Sequence, residues 1–302
     1  MVSASHKGVT AKNGLPPERT RQMTPTSQTI TLETGTGTLP ARLYGSRPAK
    51  GSAPLVFHLH GGAFTGGTLE CGAYISGILA AAGAVVVSAD YPLACEHPFP
   101  FALTALFAAV TDVYRRRAEL AGRGAPLYLA GEESGGNLAA GLAMMARDQH
   151  SPPIAGQILV SPMLDPSLAT ASIRRADAGS CGCKWADGWQ TYLGSPEKAA
   201  HPYAAPLASS RLGALPPALV VSAEDCPMCD ESRRYADALA SAGVPTCVHI
   251  LQGPTEWPDS ISCPTPKPAA WTGAMRDLFR DFFVSTRPAS RTGRLKADPA
   301  VL

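Results

Sequence analysis

Leu129-Ala130-Gly131-Glu132-Glu133-Ser134-Gly135-Gly136-Asn137-Leu138 follows the short apolar run Pro126-Leu127-Tyr128-Leu129-Ala130. It opens onto residues 138–147, a run rich in Ala, Leu and Met. An apolar run, two glycines four places apart and a helix-forming run predict a buried strand, a sharp turn and a helix. The residue between the two glycines, Gly131 and Gly135, is Glu133, and the serine of the stretch, Ser134, comes one place later.

Outward from this stretch, strand and helix patterns alternate. Residues 54–59, 84–89, 158–160, 218–221 and 247–251 are short, mostly apolar runs of the kind that form buried parallel strands. Residues 28–32 and 39–44 predict two antiparallel strands joined by a glycine-rich turn at Gly35-Thr36-Gly37. Helical patterns fall at 74–82, 101–120, 230–242 and 270–283. The alternation predicts an α/β fold with a mostly parallel central sheet of about eight strands and helices on both faces. Residues 164–206, with Trp185, Trp189 and Tyr192, interrupt it and read as a lid. The expected organisation is a mobile arm or partial cap over 1–26, a single domain over 27–285 and a basic tail over 286–302.

The 302 residues, 45% hydrophobic and 17% charged, suffice for one large core. A formal net charge of +2 gives no reason to expect a nucleic-acid partner, and the basic cluster at 287–296 reads as a solvated tail. No apolar leader region begins the chain, and no apolar run reaches the roughly 18 residues a membrane span needs. The expectation is a soluble, cytoplasmic protein acting on a small molecule, with a homodimer allowed. Eight cysteines without a secretory signal are expected to be thiols. The Cys226-Pro227-Met228-Cys229 pair has no second CxxC to complete a zinc ribbon, so no metal and no cofactor are expected.

His60-Gly61-Gly62-Ala63-Phe64 resembles the His-Gly-Gly-x motif of esterases similar to hormone-sensitive lipase, which have the α/β-hydrolase fold. The segment from Asp90-Tyr91-Pro92 to His97-Pro98-Phe99-Pro100 resembles a second family signature, with Pro92 and Cys95 as departures, and Gly135-Gly136-Asn137 continues the family's elbow. The likeness runs over about 27–283. It implies an oxyanion hole built from the backbone N–H groups of Gly61, Gly62 and Ser134. It also implies substrate contacts at His60, Ala63, Phe64 and Trp257.

The family's Ser-acid-His triad does not carry over residue by residue. Glu133 holds the serine's place in Gly-x-Ser-x-Gly, Cys226 the acid's, with Asp225 one residue early, and Glu256 the histidine's. No histidine follows His249. Without serine or histidine the usual acyl-enzyme route is absent. Two close carboxyls disfavour double ionisation, which predicts a Glu133/Glu256 acid–base pair sharing a proton. Beside an oxyanion hole such a pair suits elimination, cyclisation or isomerisation of a carbonyl-containing biosynthetic substrate, as in plant carboxylesterase-like dehydratases and cyclases. Two alternatives stand beside it. One is a catalytically dead small-molecule receptor, as the gibberellin receptor is to this family. The other is a hydrolase with a carboxylate nucleophile, as aspartate is in epoxide hydrolases of this fold.

Overall fold

The computed structural model describes residues 27–35, 37–176, 180–262 and 268–287, with the backbone alone over 180–183. The expected arm, all but the start of the basic tail, and the side chains of Cys181, Cys183 and Cys263 lie outside the described residues. The chain opens with β1 (Ser27–Glu33) and β2 (Thr38–Tyr44), paired antiparallel with Ser27 opposite Tyr44. From there the order is β3 (Leu55–Leu59), α1 (Ala73–Ala81), β4 (Val85–Ala89), α2 (Phe101–Arg115), α3 (Arg117–Leu120), β5 (Leu127–Glu132) and α4 (Ser134–Asp148). It continues with β6 (Gly156–Val160), α5 (Ala171–Arg175), α6 (Ser180–Leu193), β7 (Ala218–Ala223), α7 (Cys229–Ser241), β8 (Thr246–Leu251), α8 (Asp259–Ser262) and α9 (Thr272–Ser285).

The described residues form one eight-stranded sheet in the order β1-β2-β4-β3-β5-β6-β7-β8, parallel from β4 to β8. Every residue of β3, β4, β5, β6 and β7 is buried, as continuous apolar runs covered on both faces require. β8 departs from that expectation. It is the sheet's edge, and Cys247 and Val248 on it are exposed. The helical pattern over 101–120 is two helices, broken at Arg116.

The expected lid region holds α5 and α6. Two acidic residues of α7 tie its start down. Glu231 accepts the N–H groups of Leu164 (2.7 Å) and Asp165 (2.9 Å), and Asp230 accepts that of Ser172 (2.7 Å). Asn137 in the first turn of α4 donates to the carbonyls of Met163 and Ala204 at the lid's two roots. Among the described residues no helix is long and apolar enough to cross a membrane.

Candidate active site

β5 and α4 meet at a single residue, Glu133, with φ 51° and ψ −118°. That conformation is strained for a residue with a Cβ, and such strain persists only where the surroundings enforce it. The two neighbouring glycines are steric necessities. A Cβ on Gly131 would lie 2.3 Å from the Gly135 carbonyl oxygen, and one on Gly135 would lie 2.1 Å from that of Leu59. The turn therefore packs directly on the end of β3 and projects the Glu133 side chain toward the loop that follows it.

The Glu133 carboxylate is 1% exposed and fully engaged. Oε2 accepts the backbone N–H of Gly62 at 2.6 Å and that of Ala63 at 3.2 Å. Oε1 accepts the indole N–H of Trp185 at 2.7 Å, with the Lys184 ammonium 3.8 Å away. Two backbone donors aimed at one oxygen are the equipment of an oxyanion hole. Here both donors are taken up by the carboxylate of the elbow residue itself.

The backbone donors that face the elbow carboxylate lie one residue beyond the expected Gly61–Gly62 pair. The N–H of Gly61 is directed at Glu132 Oε1 (3.3 Å), so Gly62 and Ala63 are the donors. Glu132 is 2% exposed, and its Oε2 lies 2.7 Å from His58 Nε2, whose Nδ1 meets the hydroxyls of Ser88 (3.0 Å) and Ser76 (3.1 Å). Ser134 is buried in the first turn of α4, with its hydroxyl 3.5 Å from that of Tyr91.

Glu256 is exposed, at φ 57°, and among the described residues its carboxyl has no hydrogen bond to Glu133. Its N–H, with the N–H and hydroxyl of Thr255, donates to Asp225 at 3.0, 2.6 and 2.7 Å. Burial acts to raise the Asp225 carboxyl, but these bonds outweigh it and hold the group below the usual carboxylate range. Asp225 thus anchors the Glu256 loop. Cys226 is buried beside Ser161 and Ser222, and burial pushes its thiol up to about 12, so it is a neutral packed thiol.

The expected substrate contacts lie deeper than the sequence implies. His60 Nδ1–H donates to the Gly61 carbonyl (2.8 Å), the ring stacks on Tyr91 at 4.4 Å, and burial lowers its pKa. Nε2 is buried without a hydrogen-bond partner, 3.9 Å from Asp90. Phe64 stacks on Tyr192 at 4.0 Å, and Trp257 sits edge-on to Trp271 at 5.1 Å. Both are buried, in aromatic clusters, and only Ala63, through its backbone, reaches the carboxylate. Sequence reasoning missed Trp185 and Lys184 as contacts of Glu133 and the His58–Glu132 pair. The available signal was the Glu132-Glu133 doublet, since two adjacent buried carboxylates demand two separate sets of partners. Among the described residues no group of three or more His, Cys, Asp and Glu side chains could hold a metal ion.

A strained elbow between strand and helix, facing backbone donors after β3, defines the α/β-hydrolase architecture. The chain belongs to the α/β-hydrolase-fold family, which matches residues 56–255. It is 34% identical over 235 residues to Esterase LipI of Mycobacterium tuberculosis, covering 74% of this chain and 72% of that one. It is 32% identical over 250 residues to Carboxylesterase NlhH of the same species (78% and 77% covered). An Arylesterase of Saccharolobus solfataricus shares 34% identity over 219 residues, with 71% of each chain covered. Among solved structures, the metagenomic carboxylesterase EstE1 superposes with a TM-score of 0.78 at 28% identity, covering 89% of this chain and 92% of that one. These findings correct the expectation of a non-hydrolytic lyase, cyclase or isomerase. The relatives are named esterases, which points to hydrolysis.

Proposed function

We propose that this protein is a hydrolase in which Glu133 stands in for the family's serine and attacks as a carboxylate. One observation carries the reading: Glu133 Oε2 rests on Gly62 and Ala63 N–H while Oε1 points at Trp185 and Lys184. With Oε2 in the hole, those two donors are not free to stabilise charge on a substrate carbonyl. They are in place to stabilise charge on Oε2 itself.

That selects attack at a saturated carbon. Oε1 would form a bond to the carbon as the leaving group departs with its electron pair, giving a glutamyl ester. The Trp185 N–H and Lys184 ammonium, released from Oε1, would then face the departing anion. Water adding to Glu133 Cδ would place negative charge on Oε2, where the two N–H groups lie. Breaking the new ester returns the carboxylate, so the sum is R–X plus water giving R–OH, X⁻ and a proton. Among the described residues no histidine contacts Glu133 to activate that water, so the second step is expected to be the slow one. The substrate class is a small electrophile with an anionic leaving group, such as an activated alkyl ester, or an epoxide, whose leaving alkoxide stays attached and takes up the proton to give a diol.

A second reading, a non-catalytic binding protein, is favoured by the sealing of Glu133 beneath Trp185. One experiment separates the two. Excess enzyme is given an epoxide or an activated alkyl ester in ¹⁸O-water, and the peptide carrying Glu133 is then weighed. Turnover with ¹⁸O in Glu133, abolished by Glu133→Gln, is the expected result. Turnover without label would mean that water attacks the substrate directly. Ligand binding without turnover would favour the binding protein.

A further inference from the structure

The end of α4 far from the elbow borders a second polar cleft. Its volume is about 620 Å³, and Arg147, Asp148, His150, Arg211, Gly213 and Ala214 line it. A smaller lobe of about 140 Å³ shares Arg147, Asp148 and Arg211 and adds Ser209 and Ser210. α4 spans 15 residues, so the cleft lies about 21 Å from the elbow along the helix. None of its residues touches Glu133, and it stands apart from the reaction proposed there.

The cleft is built around a fixed guanidinium. Arg147 Nε donates to Asp148 Oδ1 at 2.8 Å, and Nη1 donates to the carbonyls of Arg211 (2.6 Å) and Gly213 (3.1 Å). Among the described residues Nη2 has no hydrogen-bond partner. Asp148 is engaged on both oxygens, since Tyr203 donates its hydroxyl to Oδ2 at 2.6 Å. The Arg147 bond, first among several causes, holds the Asp148 carboxyl below the usual carboxylate range. Arg147 and Asp148 therefore cancel as charges. Arg211 does not: it is exposed, its guanidinium has no ion pair or hydrogen bond among the described residues, and its charge reaches Asp148. A helix C-terminus opposes an anion, but the last carbonyls of α4 are already taken. Those of Met145, Ala146 and Arg147 accept the N–H groups of Gln149 (2.8 Å), Ser151 (3.0 Å) and His150 (3.1 Å). The cleft is left with a surplus positive charge and unspent N–H donors.

We propose that this cleft binds a small organic phosphate monoester, its phosphate held between Nη2 of Arg147 and the guanidinium of Arg211. The hydroxyls of Ser209 and Ser210 in the smaller lobe supply further donors. A guanidinium fork matches the spacing of phosphate oxygens, and three such oxygens use more of these donors than the two of a carboxylate. A phosphate occupies a small part of the 620 Å³, a volume within the range of small-molecule sites. The organic part lies along Gly213 and Ala214, which offer no side-chain donor.

The test is titration calorimetry of the full chain with phenyl phosphate, inorganic phosphate and benzoate at low salt. The expected result is one phenyl phosphate per chain, bound more tightly than inorganic phosphate or benzoate and more weakly as salt rises. Arg211→Gln should weaken phenyl phosphate by about tenfold or more, the loss of one hydrogen bond to a charged group. Its circular dichroism and unliganded melting temperature should match the wild type, because the Arg211 side chain holds nothing in the fold. Glu133→Gln should leave the affinity as it was, which separates this cleft from the elbow. No binding at millimolar phenyl phosphate would overturn the proposal. So would inorganic phosphate or benzoate bound as tightly as phenyl phosphate, affinity that survives Arg211→Gln, or affinity lost with Glu133→Gln.

Discussion

Glu132 ends β5 with its carboxylate against His58, whereas Glu133, one residue on, turns its own toward the Gly62–Ala63 backbone and the lid helix α6. The two are sealed alike, at 2% and 1% exposure. A buried carboxylate is tolerated only when its lost hydration is replaced. Glu132 finds that replacement inside the sheet, from an imidazole on β3 with hydroxyls behind it. Glu133 finds it from a loop and from two side chains of α6, which belong to separate elements of the chain. The first arrangement belongs to the fold and the second to the site, and they separate under substitution.

The largest effect is expected at the first pair. Glu132→Ala leaves His58 buried without its acid, and breaking such a pair typically costs about 3–5 kcal/mol. Urea unfolding should show that loss, and joint replacement by Glu132→Leu and His58→Phe should recover most of it. A loss below about 1 kcal/mol for the single change would mean that the pair carries no fold-level charge compensation.

Glu133→Ala should behave differently. The variant keeps the positive-φ strain, since Ala has a Cβ, and loses hydrogen bonds to a charged group, worth about 1.5–3 kcal/mol each, against the relieved cost of burying that charge. It also empties a receptor of two backbone N–H groups, an indole N–H and a nearby ammonium. Acetate should therefore bind and stabilise the variant, by about 2.7 kcal/mol at a hundredfold excess over its dissociation constant. The wild-type chain, with its own carboxylate in place, should not respond. Equal responses in thermal melts would show that the hole is not what Glu133 fills.

A third carboxylate sharpens the contrast. Glu231 has two backbone N–H donors, from Leu164 and Asp165, and burial nonetheless pushes its carboxyl up to about 8. The folded state therefore holds a proton that the unfolded state, titrating near about 4.3, has released. Its contribution to stability is complete below about pH 4.3 and is lost as pH rises through about 8. Glu231→Gln keeps an acceptor oxygen and cannot ionise. The variant should lose less stability than the wild type between pH 5 and pH 8, measured as a shallower fall in melting temperature. Parallel pH profiles would show that Glu231 is ionised throughout.

The architecture was legible because period and length carry it. Buried parallel strands are written as runs such as Ala84-Val85-Val86-Val87-Ser88-Ala89, and Gly131 and Gly135 announce a turn that leaves no room for a Cβ. The elbow position of Glu133 followed from that spacing. Its partners did not. Trp185 lies 52 residues away on α6, and no periodicity says which lid residue will descend on the elbow. Analogy of position pairs Glu256 with Glu133, yet Asp225 holds its loop by the backbone and Glu256 is exposed. β8 has the composition of one more apolar run, but as the edge of the sheet it leaves Cys247 and Val248 exposed.

The smallest effect should come from the lid's charge. Lys184 Nζ is 3.8 Å from Glu133 Oε1 and 3.8 Å from Asp259 Oδ1, with its side chain 42% exposed. At that distance, and that open to water and salt, an ion pair is worth about 0–1 kcal/mol. The Trp185 N–H, at 2.7 Å and buried, is a hydrogen bond to a charged group, worth about 1.5–3 kcal/mol. Lys184→Met should therefore change unfolding free energy by less than Trp185→Phe does, and added salt should erase the lysine's share while leaving the tryptophan's. A double-mutant cycle between Lys184→Met and Glu133→Gln gives the coupling directly. A coupling above about 2 kcal/mol that persists in salt would make Lys184 the principal counter-charge of the site. Glu133 would then be held by one fixed partner, as Glu132 is by the His58 imidazole, and the contrast between fold and lid would fail.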